Sequence, residues 1–151
     1  MANLNDVLLS WAVTLSGYPA PGVAPVVEQV SHAELVTRVC AGQEPCNALA
    51  TLLPDEDKIL VDDRLRIAND TESQSILVHE FVHYLQQRAG KMRNKAMSCE
   101  ERVALEREAY VVQSQFAAEH GSGSHTAAMA FGLLPRICER PSAEIDLHLH
   151  P

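Results

Sequence analysis

The chain has 151 residues, 46% hydrophobic and 21% charged, which is the size and composition of one globular domain spanning residues 1–151. Its 12 Lys and Arg against 20 Asp and Glu give a formal net charge of −8, which repels phosphate backbones and argues against nucleic acid as a partner. No apolar run reaches the roughly 18 residues that a membrane span requires, so no membrane insertion is expected.

The elements predicted for the first half of the chain are, in order, a helix over Leu4–Ser16, a strand over Val26–Val30, a helix from the capping box Ser31–Glu34 to Val39 or Cys40, and two strands over Ala48–Leu53 and Lys58–Asp63. Gly17 ends the first helix, and Pro54–Asp57 connects the last two strands, which predicts a hairpin. His32, in the first turn of the second helix, is expected to be a surface residue.

The second half is predicted to be helical. The elements are a helix from the capping box Thr71–Gln74 to Ala89, a loop over Gly90–Met97, a helix from the capping box Ser98–Glu101 to about Ala118, and a weak helix over Ser124–Leu134. Three short strands followed by long helices predict a small α+β domain.

Four cysteines, Cys40, Cys46, Cys99 and Cys138, form an even set without a C-x-x-C pair, which argues against a zinc ribbon. We expect two disulfides. Of the three possible connectivities, Cys40–Cys46 with Cys99–Cys138 is favoured because the first bond needs only local closure. Disulfides favour a secreted or periplasmic protein, and the alternative is four reduced core thiols in a cytoplasmic protein.

The helix predicted to begin at residue 71 carries the motif His79-Glu-Phe-Val-His83. The two histidines lie about 40° apart, away from the apolar arc of this helix, so two imidazoles can face one ion with Glu80 beside them. Such an arrangement is typical of a metallohydrolase in which the glutamate is the general base. Gln86 and Ala89 stand where a metzincin has Gly and its third His, which excludes that class. The alternative is two core histidines bonded to backbone carbonyls.

A catalytic zinc usually has three protein ligands and a water, so a third ligand is needed. In the next helix, Glu106 falls in the middle of the apolar arc, whereas Glu100, Glu101 and Glu108 fall on the other half. A carboxylate on a buried face requires compensation, which a metal ion supplies, so Glu106 is the predicted ligand. An ion pair or a capping role is the alternative for Glu106, and Glu108 is the inward residue if the helix is rotated differently.

An H-E-x-x-H helix followed by a glutamate on the next helix resembles the gluzincin metallopeptidases, to which thermolysin and the CAAX prenyl endopeptidases belong. The pattern is also similar to small bacterial gluzincin-like domains. The similarity covers Lys58–Ala118 and includes Ala109 at the family's small position. Tyr110 replaces the family's Asp, which accepts a hydrogen bond from a zinc-bound histidine. Tyr110 and Gln113 share the face of Glu106, so either is a candidate partner for that histidine, with ordinary packing as the alternative.

The resemblance implies a zincin-like domain in which a short sheet packs on the active-site helix and a glutamate-bearing helix follows. It implies one Zn²⁺ per chain, held by His79, His83 and Glu106. It also implies that the strand Lys58–Asp63 borders the cleft and pairs with an extended substrate.

The predicted function is that of a zinc-dependent metallopeptidase acting on peptide or protein substrates, with Glu80 as base and proton shuttle. Candidate donors to the oxyanion are Tyr84, His120 and His125. One alternative is a non-catalytic zincin-like module that binds a protein partner and has a structural or vestigial zinc. Another is a metal-dependent amidase acting on a non-peptide bond, which would use the same constellation.

Overall fold

A computed structural model describes residues 3–92 and 97–139 of the chain. The described part contains five α-helices and three β-strands: α1 Leu4–Ser16, β1 Val26–Val30, α2 His32–Val39, β2 Ala50–Leu53, β3 Lys58–Asp62, α3 Thr71–Arg88, α4 Cys99–Glu119 and α5 His125–Ile137. This confirms the predicted α+β class. Part of the predicted loop Gly90–Met97 and the tail after residue 139 lie outside the described residues.

Side-chain caps explain where most helices begin. Ser98 and Glu101 form the predicted reciprocal capping box of α4, and Ser31 accepts a hydrogen bond from the Glu34 amide at the start of α2. The predicted box at the start of α3 is wrong by one residue. The cap is Asp70, whose carboxylate accepts bonds from the Ser73 amide and hydroxyl at 2.9 and 2.7 Å. A carboxylate there also interacts favourably with the helix dipole.

The sheet has the strand order β1-β3-β2. β2 and β3 pair antiparallel, which confirms the predicted hairpin, although β2 begins at Ala50 and not at Ala48. β1 pairs parallel with β3 on its other side. Because β3 is the central strand, its backbone groups are already paired on both edges. The expected pairing of Lys58–Asp63 with a substrate strand is therefore wrong.

Helix α3 is buried on nearly every face. Its buried residues run from Ser73 to Gln86, with Gln74 the one exception. It contacts α1 and β2, which contribute to the main apolar core, and it also packs against α4 and α5. The histidine side of α3 is therefore covered by protein.

Two disulfides, Cys40–Cys46 and Cys99–Cys138, confirm the favoured connectivity. The second bond ties the first residue of α4 to the residue after α5. Disulfides persist in oxidising surroundings, which indicates an extracellular or otherwise oxidising compartment. No helix among the described residues is both long enough and apolar enough to cross a membrane.

His32 is half-buried and is not the free surface residue that the sequence predicted. Its Nδ1 lies 3.2 Å from Oδ2 of Asp62, the last residue of β3. Arg64 donates from its backbone and its guanidinium to the same carboxylate, which is fully buried. Burial alone would raise the pKa of Asp62. The hydrogen bonds and charge of Arg64, together with the hydrogen bond to His32, lower it by a larger amount, so the pKa of Asp62 is below its ordinary value.

Candidate metal centre

Three side chains meet between α3 and α4. Nε2 of His79 lies 3.1 Å from Nε2 of His83 and 3.2 Å from Oε1 of Glu106. The other oxygen of Glu106 lies 3.1 Å from Nε2 of His83. This buried group can hold a metal ion.

Local structure brings these three residues together. His79 and His83 are four residues apart on α3, so their rings lie one turn apart on the same side, with centroids 4.7 Å apart. Glu106 comes from α4, which packs along α3. The helical-wheel prediction that Glu106 faces inward is confirmed, because its side chain is 12% exposed and contacts both imidazoles.

Glu80 lies beside the group formed by His79, His83 and Glu106. Its residue is 1% exposed, and its Oε2 is 4.0 Å from Nε2 of His79. Neither carboxylate oxygen has a hydrogen-bond partner among the described residues. A buried polar group without hydrogen bonds destabilises a fold, and a charged group does so more strongly. Glu80 therefore places a buried carboxylate without hydrogen bonds next to the three candidate ligands.

The electrostatics of the site favour a positive charge at its centre. Burial lowers the pKa of His83, but the charge and hydrogen bond of Glu106, the charge of Glu80 and the Gln86 oxygen raise it, to about 9. Without another cation, the proton on His83 offsets part of the negative charge of the two carboxylates. A metal ion bound by the same atoms would replace that positive charge.

Tyr110 packs its ring against His79, with centroids 4.3 Å apart and planes inclined by 59°. Burial, reinforced by the negative charges of Glu106 and Glu80, raises the pKa of Tyr110 above its ordinary value. Tyr110 is therefore a neutral phenol in aromatic contact with one of the two histidines.

Sequence reasoning missed the partner of the second histidine. Nδ1 of His83 lies 2.8 Å from Oε1 of Gln86, one turn further along α3. The amide nitrogen of Gln86 donates to the Leu105 carbonyl at 2.9 Å and to Oε1 of Glu108 at 2.8 Å. Tyr18, after α1, donates its hydroxyl to the same oxygen of Glu108. The spacing of three residues between His83 and Gln86 on one helix was the available signal.

Gln113 is not joined to a metal-site histidine by any hydrogen bond that the described residues show. Its amide nitrogen donates to Ser124 at 3.0 Å and to Thr126 at the start of α5. It also lies 3.4 Å from the Ser75 hydroxyl. Gln113 therefore connects α3, α4 and α5, and Tyr110 is the candidate partner that contacts His79 among the described residues.

Two of the three candidate oxyanion donors have other partners. The Tyr84 hydroxyl donates to the Val23 carbonyl at 2.6 Å. The His120 ring packs against Trp11, with centroids 5.1 Å apart, and its Nδ1 lies 2.8 Å from a backbone carbonyl. His125 is exposed at the start of α5. Among the described residues, none of the three forms a hydrogen bond with the Glu80 carboxylate.

Comparison with protein-family models, with curated proteins and with solved structures found no match to this chain.

Proposed function

We propose that this chain is a zinc-dependent hydrolase of peptide bonds, with His79, His83 and Glu106 as ligands and Glu80 as the general base. The observation that carries the proposal is Glu80. A site that served only to hold two helices together would gain nothing from a buried carboxylate without hydrogen bonds. A hydrolytic site requires such a group next to the ion.

The donor set fits zinc. Two imidazole nitrogens and a carboxylate oxygen form one of the common ligand sets of catalytic zinc, which bonds them at about 2.0–2.2 Å. Tetrahedral geometry at those bond lengths separates two ligand atoms by roughly 3.3–3.6 Å. The separations of 3.1–3.2 Å between the donor atoms are close to that edge length. Small side-chain shifts are enough to admit the ion.

Zinc in this position supplies Lewis-acid activation of a water molecule and of the substrate carbonyl. Glu80 would accept the proton of the attacking water and pass it to the nitrogen of the leaving amine. Glu80 can do both because its oxygens are not held by other hydrogen bonds. Tyr110, packed against His79, limits the movement of that ring.

The test compares cleavage of a fluorogenic peptide library by zinc-loaded wild-type protein, Glu80→Gln and the control Glu100→Gln. Glu100 is an exposed acid at the start of α4. We expect Glu80→Gln to keep its zinc and lose about 10²–10⁴-fold in rate, whereas Glu100→Gln keeps both. Cleavage by Glu80→Gln at the wild-type rate would contradict the assigned role.

One observation favours a second candidate, a structural zinc that links α3 and α4. The residues at the centre are deeply buried, with exposures of 0% for His79, 5% for His83 and 9% for Glu106. A structural site is normally closed to substrate. Zinc binding that stabilises the fold, combined with no cleavage of any library peptide, would favour this candidate.

The disulfides support a proposed location outside the cytoplasm, in the periplasm or the extracellular medium. Alkylation of the protein from its native source, followed by mass spectrometry, tests this. We expect Cys40, Cys46, Cys99 and Cys138 to be protected until a reductant is added, and labelling without reductant would contradict the proposed location.

A further inference from the structure

A chain of hydrogen bonds leads from the metal centre to the end of α1. It runs from Nδ1 of His83 to Gln86, from Gln86 to Glu108, and from Glu108 to the Tyr18 hydroxyl. We call Gln86, Glu108 and Tyr18 the Gln86 relay. Glu108 was predicted to lie on the half of α4 away from Glu106. Its hydrogen bonds from Gln86 and Tyr18 connect it indirectly to His83.

The surroundings of Gln86 determine which way its amide points. Two acceptors, the Leu105 carbonyl and the Glu108 carboxylate, lie within 2.9 Å of the atom assigned as Nε2. Only the NH₂ end of the amide can donate to both. The opposite end, Oε1, therefore faces His83, and an oxygen there can only accept a hydrogen bond.

The orientation of Gln86 in turn fixes the proton of His83. Because Oε1 accepts, Nδ1 of His83 must carry the hydrogen in their 2.8 Å contact. A neutral imidazole with a proton on Nδ1 has its lone pair on Nε2. Nε2 is the atom that lies 3.1 Å from both His79 and Glu106, where a metal would bind.

We propose that the Gln86 relay positions the metal ligand His83 by holding it in the tautomer that presents Nε2 to zinc. The inference rests on the zinc site of the proposed function. Residues that orient a metal ligand in this way normally affect affinity as well as geometry.

Each member of the Gln86 relay makes a distinct contribution to holding the next one in place. Gln86 is fully buried, and the bond from its amide to a carboxylate is charge-assisted, which resists rotation of the side chain. Tyr18 donates to that carboxylate and therefore holds it in place. The ammonium of Lys91 lies 5.1 Å from the centre of the Tyr18 ring and helps to hold the ring in turn.

The test uses the full chain with zinc and two readouts. Long-range ¹H–¹⁵N spectra of the histidine rings identify the nitrogen of His83 that carries the proton, and competition with a chromophoric chelator gives the zinc Kd. The variants are Gln86→Met, which keeps the length of the side chain without the amide, together with Glu108→Gln and Tyr18→Phe. Glu100→Gln on α4 is the matched control.

We expect the Nδ1–H form with zinc on Nε2 in the wild type. Gln86→Met should weaken zinc binding about 10–100-fold, Glu108→Gln and Tyr18→Phe should weaken it less, and Glu100→Gln should not change it. A merely structural role would lower the melting temperature without altering the proton position or exchange of the His83 ring. If Gln86→Met does not fold, the other two variants decide.

Wild-type zinc affinity and an unchanged His83 ring spectrum in all three relay variants would overturn the relay and leave the zinc site standing. Absence of zinc binding in the wild type would overturn the site and the relay together. The two failures are therefore distinguished by the wild-type protein alone.

Discussion

The two sides of α3 are equally buried, but their buried groups are stabilised in different ways. On one side Leu77, Val78 and Phe81 are at most 1% exposed and lie in the main apolar core. On the other side His79 and Glu80 are buried to the same extent. The apolar side is satisfied by packing, whereas the polar side contains a charged group without a hydrogen bond. Equal burial with unequal hydrogen bonding is the observation that supports our proposal of a functional site on the polar side.

The largest effect on stability is expected on the apolar side. Phe81→Ala removes a fully buried ring and should lower the free energy of unfolding by about 3–5 kcal/mol, measured by urea denaturation. Met129→Ala, at a position that is 55% exposed on α5, should change it by less than about 0.5 kcal/mol. Similar losses from the two variants would mean that the apolar side of α3 is not the core of the fold.

A smaller effect, with the opposite sign, is expected on the polar side. Glu80→Gln replaces a buried carboxylate that has no hydrogen bond with a neutral amide and should stabilise the metal-free protein by about 1–3 kcal/mol. Glu72, on the same helix, accepts hydrogen bonds from the amide of His125 and from the hydroxyls of Ser124 and Thr126. Glu72→Gln should therefore destabilise the protein by about 1–3 kcal/mol.

The pair of glutamates on α3 makes this comparison strict, because the substitution and the helix are the same. Thermal and chemical unfolding of chelator-treated protein would measure both changes. A loss of stability in Glu80→Gln equal to that in Glu72→Gln would show that Glu80 has a structural partner.

The smallest effect on stability is expected from Asp62, the last residue of β3. The pKa of Asp62 is lower in the folded protein than in the unfolded chain, where it is about 3.9. Its contribution to stability is therefore present above about pH 4 and lost as the pH falls through the folded value. Unfolding free energies measured between pH 6 and pH 3 should fall less steeply in Asp62→Asn than in the wild type. Equal slopes would contradict the assigned direction.

Much of the candidate site could be predicted because the positions of its residues within single helices determine which way they face. The spacing of His79 and His83 fixes a shared side of one helix, and the apolar neighbours of Glu106 fix the inward side of the next. The Gln86 relay was not predictable, because it depends on how α3, α4 and the end of α1 meet. A helical wheel gives the direction of Glu108 but not its partner.

Prediction of the fold was limited in the same way, because features set by nearby residues could be predicted and long-range pairings could not. Helix ends and the hairpin follow from nearby residues, such as the caps Ser31 and Ser98. The central position of β3 depends on its parallel pairing with β1, in which each residue pairs with one 32 positions earlier, as Lys58 does with Val26. Local residues do not reveal that long-range pairing. The family resemblance therefore suggested that one edge of β3 is free to bind a substrate strand, whereas that edge is occupied by β1.

The most direct test of the account is the metal content of untagged protein purified without chelators, measured by inductively coupled plasma mass spectrometry. Wild type and Glu106→Ala are compared, with Glu100→Ala as the control. We predict one zinc per chain in the wild type and the control, and loss of that zinc from Glu106→Ala after dialysis. Wild-type protein that holds no zinc even after zinc is added, or Glu106→Ala that retains a full equivalent, would contradict it.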